Sequence, residues 1–197
     1  MKVKGILFSL MSIFAVVTVA QETMSELPYH QIPDAPESYT AGTVAARMVD
    51  GLGFRYYWAT EGLREKDLEY KPNKESRTTA QTIDHIYGLS KTIINATLKK
   101  PNISSEEKEL SFEQKRAATL NNFKRAADIL RSSDDISQYN MVFQQADGRT
   151  SEFPFWNHIN GPIADAIWHC GQVVSFRRAS GNPFNSKVSL LRGRLRQ

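Results

Sequence analysis

The chain has 197 residues, a net charge of +4 and a single cysteine. That length accommodates one full domain and is short for two, and a lone thiol excludes an internal disulfide framework. Lys2 and Lys4 supply part of the positive charge, so the body of the chain is near neutral and offers no case for nucleic acid as a partner.

In chain order, the two lysines precede an apolar, uncharged run from Gly5 to Ala20 that ends in the small residues Thr18-Val-Ala20. This is the pattern of a secretory signal peptide over residues 1–20, with cleavage expected after Ala20. The run is short for a membrane span and no stop-transfer pattern follows it. The expectation is a periplasmic or secreted protein with no integral membrane segment after signal removal. Residues 21–39 hold Pro28, Pro33 and Pro36 without periodicity and read as an extended leader lying along the body.

From Thr40 the pattern turns helical. Val44, Met48, Leu52, Tyr56, Ala59 and Leu63 recur at spacings of three and four, which predicts a first helix with one buried stripe. Gly51 and Gly53 weaken it unless a neighbour packs closely there. A connection with Pro72 leads to a second helix capped by Thr78 or Thr79 and running to about Leu98. On it Thr82, His85, Ile86, Leu89, Thr92, Ile93 and Ala96 share a face, so His85 is expected to point to the core. Ser111 followed by Gln114 is a capping-box signature for a third helix, with Phe112, Leu120, Phe123, Ala127 and Leu130 inward. Tyr139 to Phe143, Asp147-Gly148, and Thr150 to Phe155 read as a hairpin.

The fourth helix is predicted over Trp156 to Ser180, bent at Pro162 and ended by Gly181. It is apolar nearly all round, which predicts a central helix buried on most sides. Asp165 and His169 lie one turn apart, on a stripe shared with His158, Gln172 and Phe176 and flanked by Trp168 and Val173. Ile163, Ile167, Cys170 and Val174 lie opposite and need cover from the tail or from a second copy. Cys170 itself reads as a small buried hydrophobe. The sum is an all-α, four-helix bundle with a hairpin inserted before its last helix.

Bundles build metal sites from side chains on facing helices, so His85, Asp165 and His169 form a candidate metal triad. If so, their ligating atoms should fall within about 5 Å of one another. Two imidazoles and a carboxylate suit zinc, nickel, manganese or iron rather than calcium. The alternative is a hydrogen-bonded core histidine beside a buried Asp–His pair. His158 lies roughly 10 Å along the axis from Asp165 on an unbroken helix, so it is a candidate acid or base and not a ligand. His30, in the leader, reads as a surface residue.

The inward His85, the Trp168-His169-Cys170-Gly171-Gln172 stretch, the Arg177-Arg178-Ala179-Ser180-Gly181 stretch and the Asp67-Leu68-x-Tyr70-x-Pro72 connection together resemble the DinB-like superfamily. The similarity covers roughly Thr40 to Pro183, which would make 40–183 the bundle and 184–197 a basic tail. The resemblance implies a four-helix bundle, often dimeric, with a metal held by one histidine of helix two and a His-x-x-x-His pair of helix four. His85 and His169 match; Asp165 stands where the other histidine would be, a competent oxygen ligand. Relatives transfer low-molecular-weight thiols, isomerise thiol adducts or hydrolyse small substrates, and export argues against the thiol cofactors.

Two readings follow. One is a metal-dependent hydrolase or transferase acting on a small molecule, with Gln172 and His158 as candidate catalytic residues. The other is a non-catalytic bundle that binds a small molecule or a partner. The resemblance favours a homodimer as cover for Ile163, Ile167 and Val174. The tail, with Lys187, Arg192, Arg194 and Arg196 among leucines, is expected over the outer face of helix four, with acidic lipid as the other candidate contact.

Overall fold

A computed structural model describes residues 26–104 and 108–197. The signal peptide reading lies outside the described residues, as do the first residues of the leader. The chain is mostly helical, with a few short strands. No helix among the described residues is long and apolar enough to cross a membrane.

Local capping chemistry starts each of the first three long helices. Helix α1 spans Ala41–Thr60, and the Thr40 hydroxyl accepts from Thr43 N at 3.1 Å while Thr43 Oγ1 accepts from Thr40 N at 2.8 Å. A short α2 (Glu65–Leu68) interrupts the following connection. Helix α3 (Thr79–Thr97) is capped by Thr78 and Gln81, and α4 (Phe112–Arg131) by Ser111 and Gln114. Each such box satisfies two of the orphan amides that open a helix. The long helices form a closed circuit, in which α4 lies against α1 and α3, and α6 (Ala164–Ala179) lies against α3 and α1.

The core of α1 is Ala45, Ala46, Val49, Leu52, Tyr56 and Ala59; Val44, expected inside, is exposed. Two of its glycines are close approaches. A Cβ on Gly42 would sit 2.4 Å from the carbonyl oxygens of Leu130 and Ser133, and one on Gly53 would sit 2.4 Å from the Tyr29 ring. Tyr29 also reaches Asp50, which is buried on α1 and paired with Arg131 of α4 at 2.5 Å. The leader is thus pinned to α1, and Trp58 Nε1 donates to His30 O at 3.1 Å.

After α3, β1 (Asn102–Ile103) runs parallel to β2 (Met141–Gln144), which pairs antiparallel with β3 (Thr150–Phe153). The Asp147-Gly148 turn is as expected, with Gly148 at φ +83. Strand β1 is unforeseen, because two residues carry no periodicity. Asn102 anchors it, accepting from Asn95 Nδ2 and donating to Val142 O.

The fourth predicted helix is broken, not bent. Residues Trp156–His158 form a single turn, α5, and Ile159–Ile163 a π-helical turn before α6 begins. Pro162 has no N–H to donate, and Gly161 leaves helical geometry at φ −89, ψ −109. Nor is α6 central. Ala166, Cys170, Val173 and Arg177 form its buried stripe, while Ala164, Trp168, Gly171, Ser175 and Arg178 are exposed, with Trp168 at 72 %. The inward direction is rotated by about one residue, roughly 100°, from the expected Asp165–His169 stripe. Ile163, expected to need outside cover, is buried in the interior. Ile167 and Val174 border an outer groove of about 300 Å³ with Phe184 and Leu190 of the tail.

The C-terminal end of α6 is welded to the body. Arg177 Nη1 donates to the carbonyls of Trp58, Ala59 and Glu61 at 3.1, 3.0 and 2.9 Å, closing the end of α1. Its other nitrogens reach Asn182. Asn182 and Ser180 in turn donate to Asp67, whose buried carboxylate also takes two bonds from the Arg64 guanidinium. The two sequence stretches around Asp67 and Arg177 are therefore one network. The tail then forms a hairpin of β4 (Val188–Ser189) and β5 (Arg194–Leu195). Its inner residues pack on Ile32, Phe54 and Trp58, so its anchor is α1 and the leader rather than helix four alone.

Candidate metal centre

The seam between α3 and α6 brings together residues 80 positions apart. His85 comes from the second turn of α3, and Asp165 and His169 from the first two turns of α6. The break at Gly161 and Pro162 sets where α6 starts, so Asp165 occupies its first turn, where the helix dipole favours a carboxylate. His85 Nε2 lies 3.0 Å from Asp165 Oδ2, and His169 Nε2 lies 3.3 Å from Asp165 Oδ1. The two imidazoles meet edge to face at 4.7 Å between centroids.

One ligand atom from each residue lies within 4.8 Å of the others, inside the limit expected from sequence. A small divalent ion with bonds of about 2.0–2.2 Å has ligands about 3.0–3.5 Å apart at right or tetrahedral angles. The two contacts to Asp165 already fall in that range. All three ligand atoms are held to within 4.8 Å of one another, and with a small closure of the widest separation these side chains could hold such an ion.

Exposure separates this cluster from a core histidine pair. The Asp165 and His85 side chains are about a third exposed, at 35 % and 34 %, and His169 at 14 %. His85 therefore sits on the shoulder of α3, beside the buried Thr82, Ile83 and Ile86, rather than in the core. The open side leaves room for a further ligand. On the closed side Gln172 Oε1 lies 2.6 Å from His169 Nδ1. An amide oxygen there accepts from Nδ1–H and orients the ring so that Nε2 faces Asp165.

The other candidates stand apart. His158 is 1 % exposed and stacks on Phe155 at 5.2 Å. Its Nε2 has no hydrogen-bond partner among the described residues, and burial pushes its pKa down to about 4. It lies outside the three-residue cluster, as its separation along the helix from Asp165 leads one to expect. His30 is exposed, its ring against Tyr57 and Trp58. Cys170 is buried in the core and its thiol is pushed up to about 12 by burial, which suits packing rather than attack.

Sequence reasoning missed two charged constellations. Asp50 with Arg131 and Tyr29, and Asp67 with Arg64, Ser180 and Asn182, are as polar as the candidate centre. For the first the available signal was a lone aspartate at position 50 in an apolar helix; for the second the stretches around Asp67 and Arg177 were noted in the sequence, but not their pairing. The Arg64 guanidinium, more than any other neighbour, holds the Asp67 carboxyl well below the usual carboxylate range.

No family model matches the chain, and no curated protein or solved structure shows a significant match to it.

Proposed function

We propose that this chain is an exported, DinB-like four-helix bundle that holds a divalent transition metal at His85, Asp165 and His169. On this reading it is a metal-dependent hydrolase or transferase acting on a small molecule in the periplasm or outside the cell. The single observation that carries it is that two imidazole nitrogens and a carboxylate oxygen lie within 4.8 Å of one another on a seam open to solvent. The closed circuit of α1, α4, α3 and α6 supports the bundle. Zinc, nickel, manganese and iron all accept this donor set.

A bound ion of this kind supplies Lewis acidity to the substrate atom it contacts. The protein's own groups do the rest. Gln172 keeps the His169 ring in one tautomer and one orientation. Asp165, shared between both imidazoles, contributes the negative charge that offsets the cation. Trp168 stacks at 6.4 Å on the His169 ring and is largely exposed, an apolar wall beside the opening for the body of a substrate. His158, neutral at pH 7 and buried, serves the packing of the break below the site.

Elemental analysis of the untagged chain, purified with zinc, nickel, manganese and iron(II) supplied, tests the proposal. About one ion per chain is expected, and none in His85→Ala or His169→Ala. A native chain that stays metal-free under these conditions sinks the metalloenzyme reading and leaves the non-catalytic bundle.

A further inference from the structure

The β4–β5 hairpin has an anchored side and a bare side. Val188 and Leu195 are cross-strand partners and pack into the small core with Phe54, Trp58 and Ile32. Ile32 N donates to Gly193 O at 2.8 Å, and Arg196 N donates to Lys187 O at 2.7 Å. A Cβ on Gly193 would meet the Ile32 side chain at 2.7 Å. The hairpin is therefore held in a fixed attitude on α1 and the leader, and its tip is presented rather than loose.

What the tip presents is apolar. Leu190 and Leu191 occupy the turn, at 47 % and 96 % exposure. Turns take Gly, Pro, Asn, Asp and Ser because those residues supply the backbone geometry or bond to it. Leucine does neither, so turn chemistry gives no reason for two of them here. Single exposed leucines need no explanation; two adjacent ones at a braced tip, inside a ring of cations, do.

The ring comes from the exposed positions of the hairpin. Val188 and Ser189 are both buried, whereas Lys187, Arg194 and Arg196 are exposed and form the outer face. Arg192 follows the leucines directly, and Arg178 edges the same open concavity of about 880 Å³ with Arg192 and Arg196. No carboxylate side chain follows Asp165 in the sequence. Only Arg194 has an acidic partner among these, Asp34 at 3.5 Å; Lys187, Arg192 and Arg196 have no ion pair among the described residues.

We propose that the Leu190–Leu191 tip of the β4–β5 hairpin, with Lys187, Arg192 and Arg196 around it, docks this protein on anionic lipid bilayers. The leucines enter the headgroup boundary while the cations meet the lipid phosphates, the division of labour of interfacial anchors. A nucleic acid would use the cations and leave the leucines in water, so the apolar tip favours lipid. This docking is independent of the metal reading.

The test places an environment-sensitive fluorophore on Leu191→Cys in the full chain, with Arg149→Cys on the β2–β3 turn as the reference site. The buried Cys170 thiol does not compete for label. Vesicles of phosphatidylcholine alone are compared with vesicles containing about 30 % phosphatidylglycerol. The expected result is a blue shift at 191 only on the anionic vesicles, no shift at 149, and weaker binding as salt rises. Adding Arg192→Gln and Arg196→Gln should weaken vesicle binding by about fivefold per cation.

Several outcomes overturn the proposal. One is the absence of any shift at 191 on either vesicle. Another is an equal shift at both sites. A third is a shift of equal size on phosphatidylcholine that ignores the two charge changes, which would show that lipid charge and the cations take no part. A shift with single-stranded DNA and none with vesicles would make the partner a different polyanion.

Discussion

At the C-terminal end of α6, Arg177 meets three carbonyls of α1 and Asn182, and Asp67 meets Arg64, Ser180 and Asn182. Two to three turns earlier on the same helix, Asp165 and His169 meet each other, His85 and Gln172 and are partly in water. Both ends join α6 to another part of the chain by charged groups. At the first, Asp67 and Arg177 are buried and bonded on several sides, which leaves neither open to a ligand. At the second, imidazole nitrogens converge on a carboxylate at an open seam. Charge alone therefore does not mark a site; unspent coordination capacity facing solvent does.

The largest effect should come from the closed end. Breaking a buried, bonded charge by removing one partner costs about 3–5 kcal/mol, or a melting temperature lower by roughly 10 °C in a domain of this size. Asp67→Asn and Arg177→Met should each do this by thermal melts, and neither should change metal content per folded chain. The Asp67 part is also pH-dependent. Its folded pKa is depressed, so its stabilisation is full above the unfolded value near 3.9 and fades as pH falls through the folded one. If either variant loses metal in proportion to stability, the two ends are one unit and the contrast fails.

Next in size is His158. Its folded pKa, lowered from 6.5 to about 4 by burial, means that the unfolded chain binds the proton first as pH falls. Stability should thus decline between about pH 6.5 and 4, by about 3 kcal/mol in total. His158→Phe keeps the stack on Phe155 and removes the titrating nitrogen. Denaturant melts at pH 7 and pH 4.5 should show the slope shrinking in that variant. An unchanged slope would place the acid sensitivity elsewhere.

These residues also show how far the sequence could be read. The caps at Thr78 and Ser111 were legible because capping is local chemistry within four residues. Asp165 and His169 were legible as a pair because both lie after the break at Pro162, where helical spacing is intact. The facing of His158 was not, since a π turn shifts the register and its cause is backbone geometry at Gly161. The burial of α6 was misjudged for a different reason. Trp168 is apolar and exposed, while Arg177 is charged and buried, so hydrophobicity points the helix the wrong way. Arg177 can be buried only because the carbonyls ending α1, 116 to 119 residues away, receive its protons, and no window of sequence contains that pairing.

At the open end, the metal should act as a clasp between α3 and α6. A ligand bound only by the folded state adds about 2.7 kcal/mol at a hundred times its dissociation constant. Chelator should lower the melting temperature of the native chain accordingly and leave His169→Ala unmoved. Without metal the two should differ by only about 1 kcal/mol, because His169 is at the edge of the core. The apo-protein should stay folded, as the stripes of α1, α3 and α4 do not pass through the triad. Equal melting of the native chain with and without chelator, after metal loading, would reduce the seam to an ordinary Asp–His contact.

The smallest effect is the most specific to this geometry. Gln172 touches the candidate centre only through His169 Nδ1, at 2.6 Å. Replacing it by leucine keeps the bulk and removes the acceptor, so the imidazole is free to change tautomer and to turn in its plane. Groups in this position typically alter metal affinity by about 10–100-fold. Gln172→Leu should therefore weaken binding by that factor in competition with a chromophoric chelator. Its melting temperature in chelator should match that of the native chain, since Gln172 is only half-buried and braces nothing else. Gln172→Glu restores an acceptor, and a charged one, so it should recover or exceed native affinity. That recovery distinguishes orientation from packing, because leucine and glutamate fill similar space and differ in what they offer Nδ1. If leucine and glutamate bind metal equally well, the His169 ring is held by its neighbours alone, and the open end of α6 is less organised than its contacts indicate.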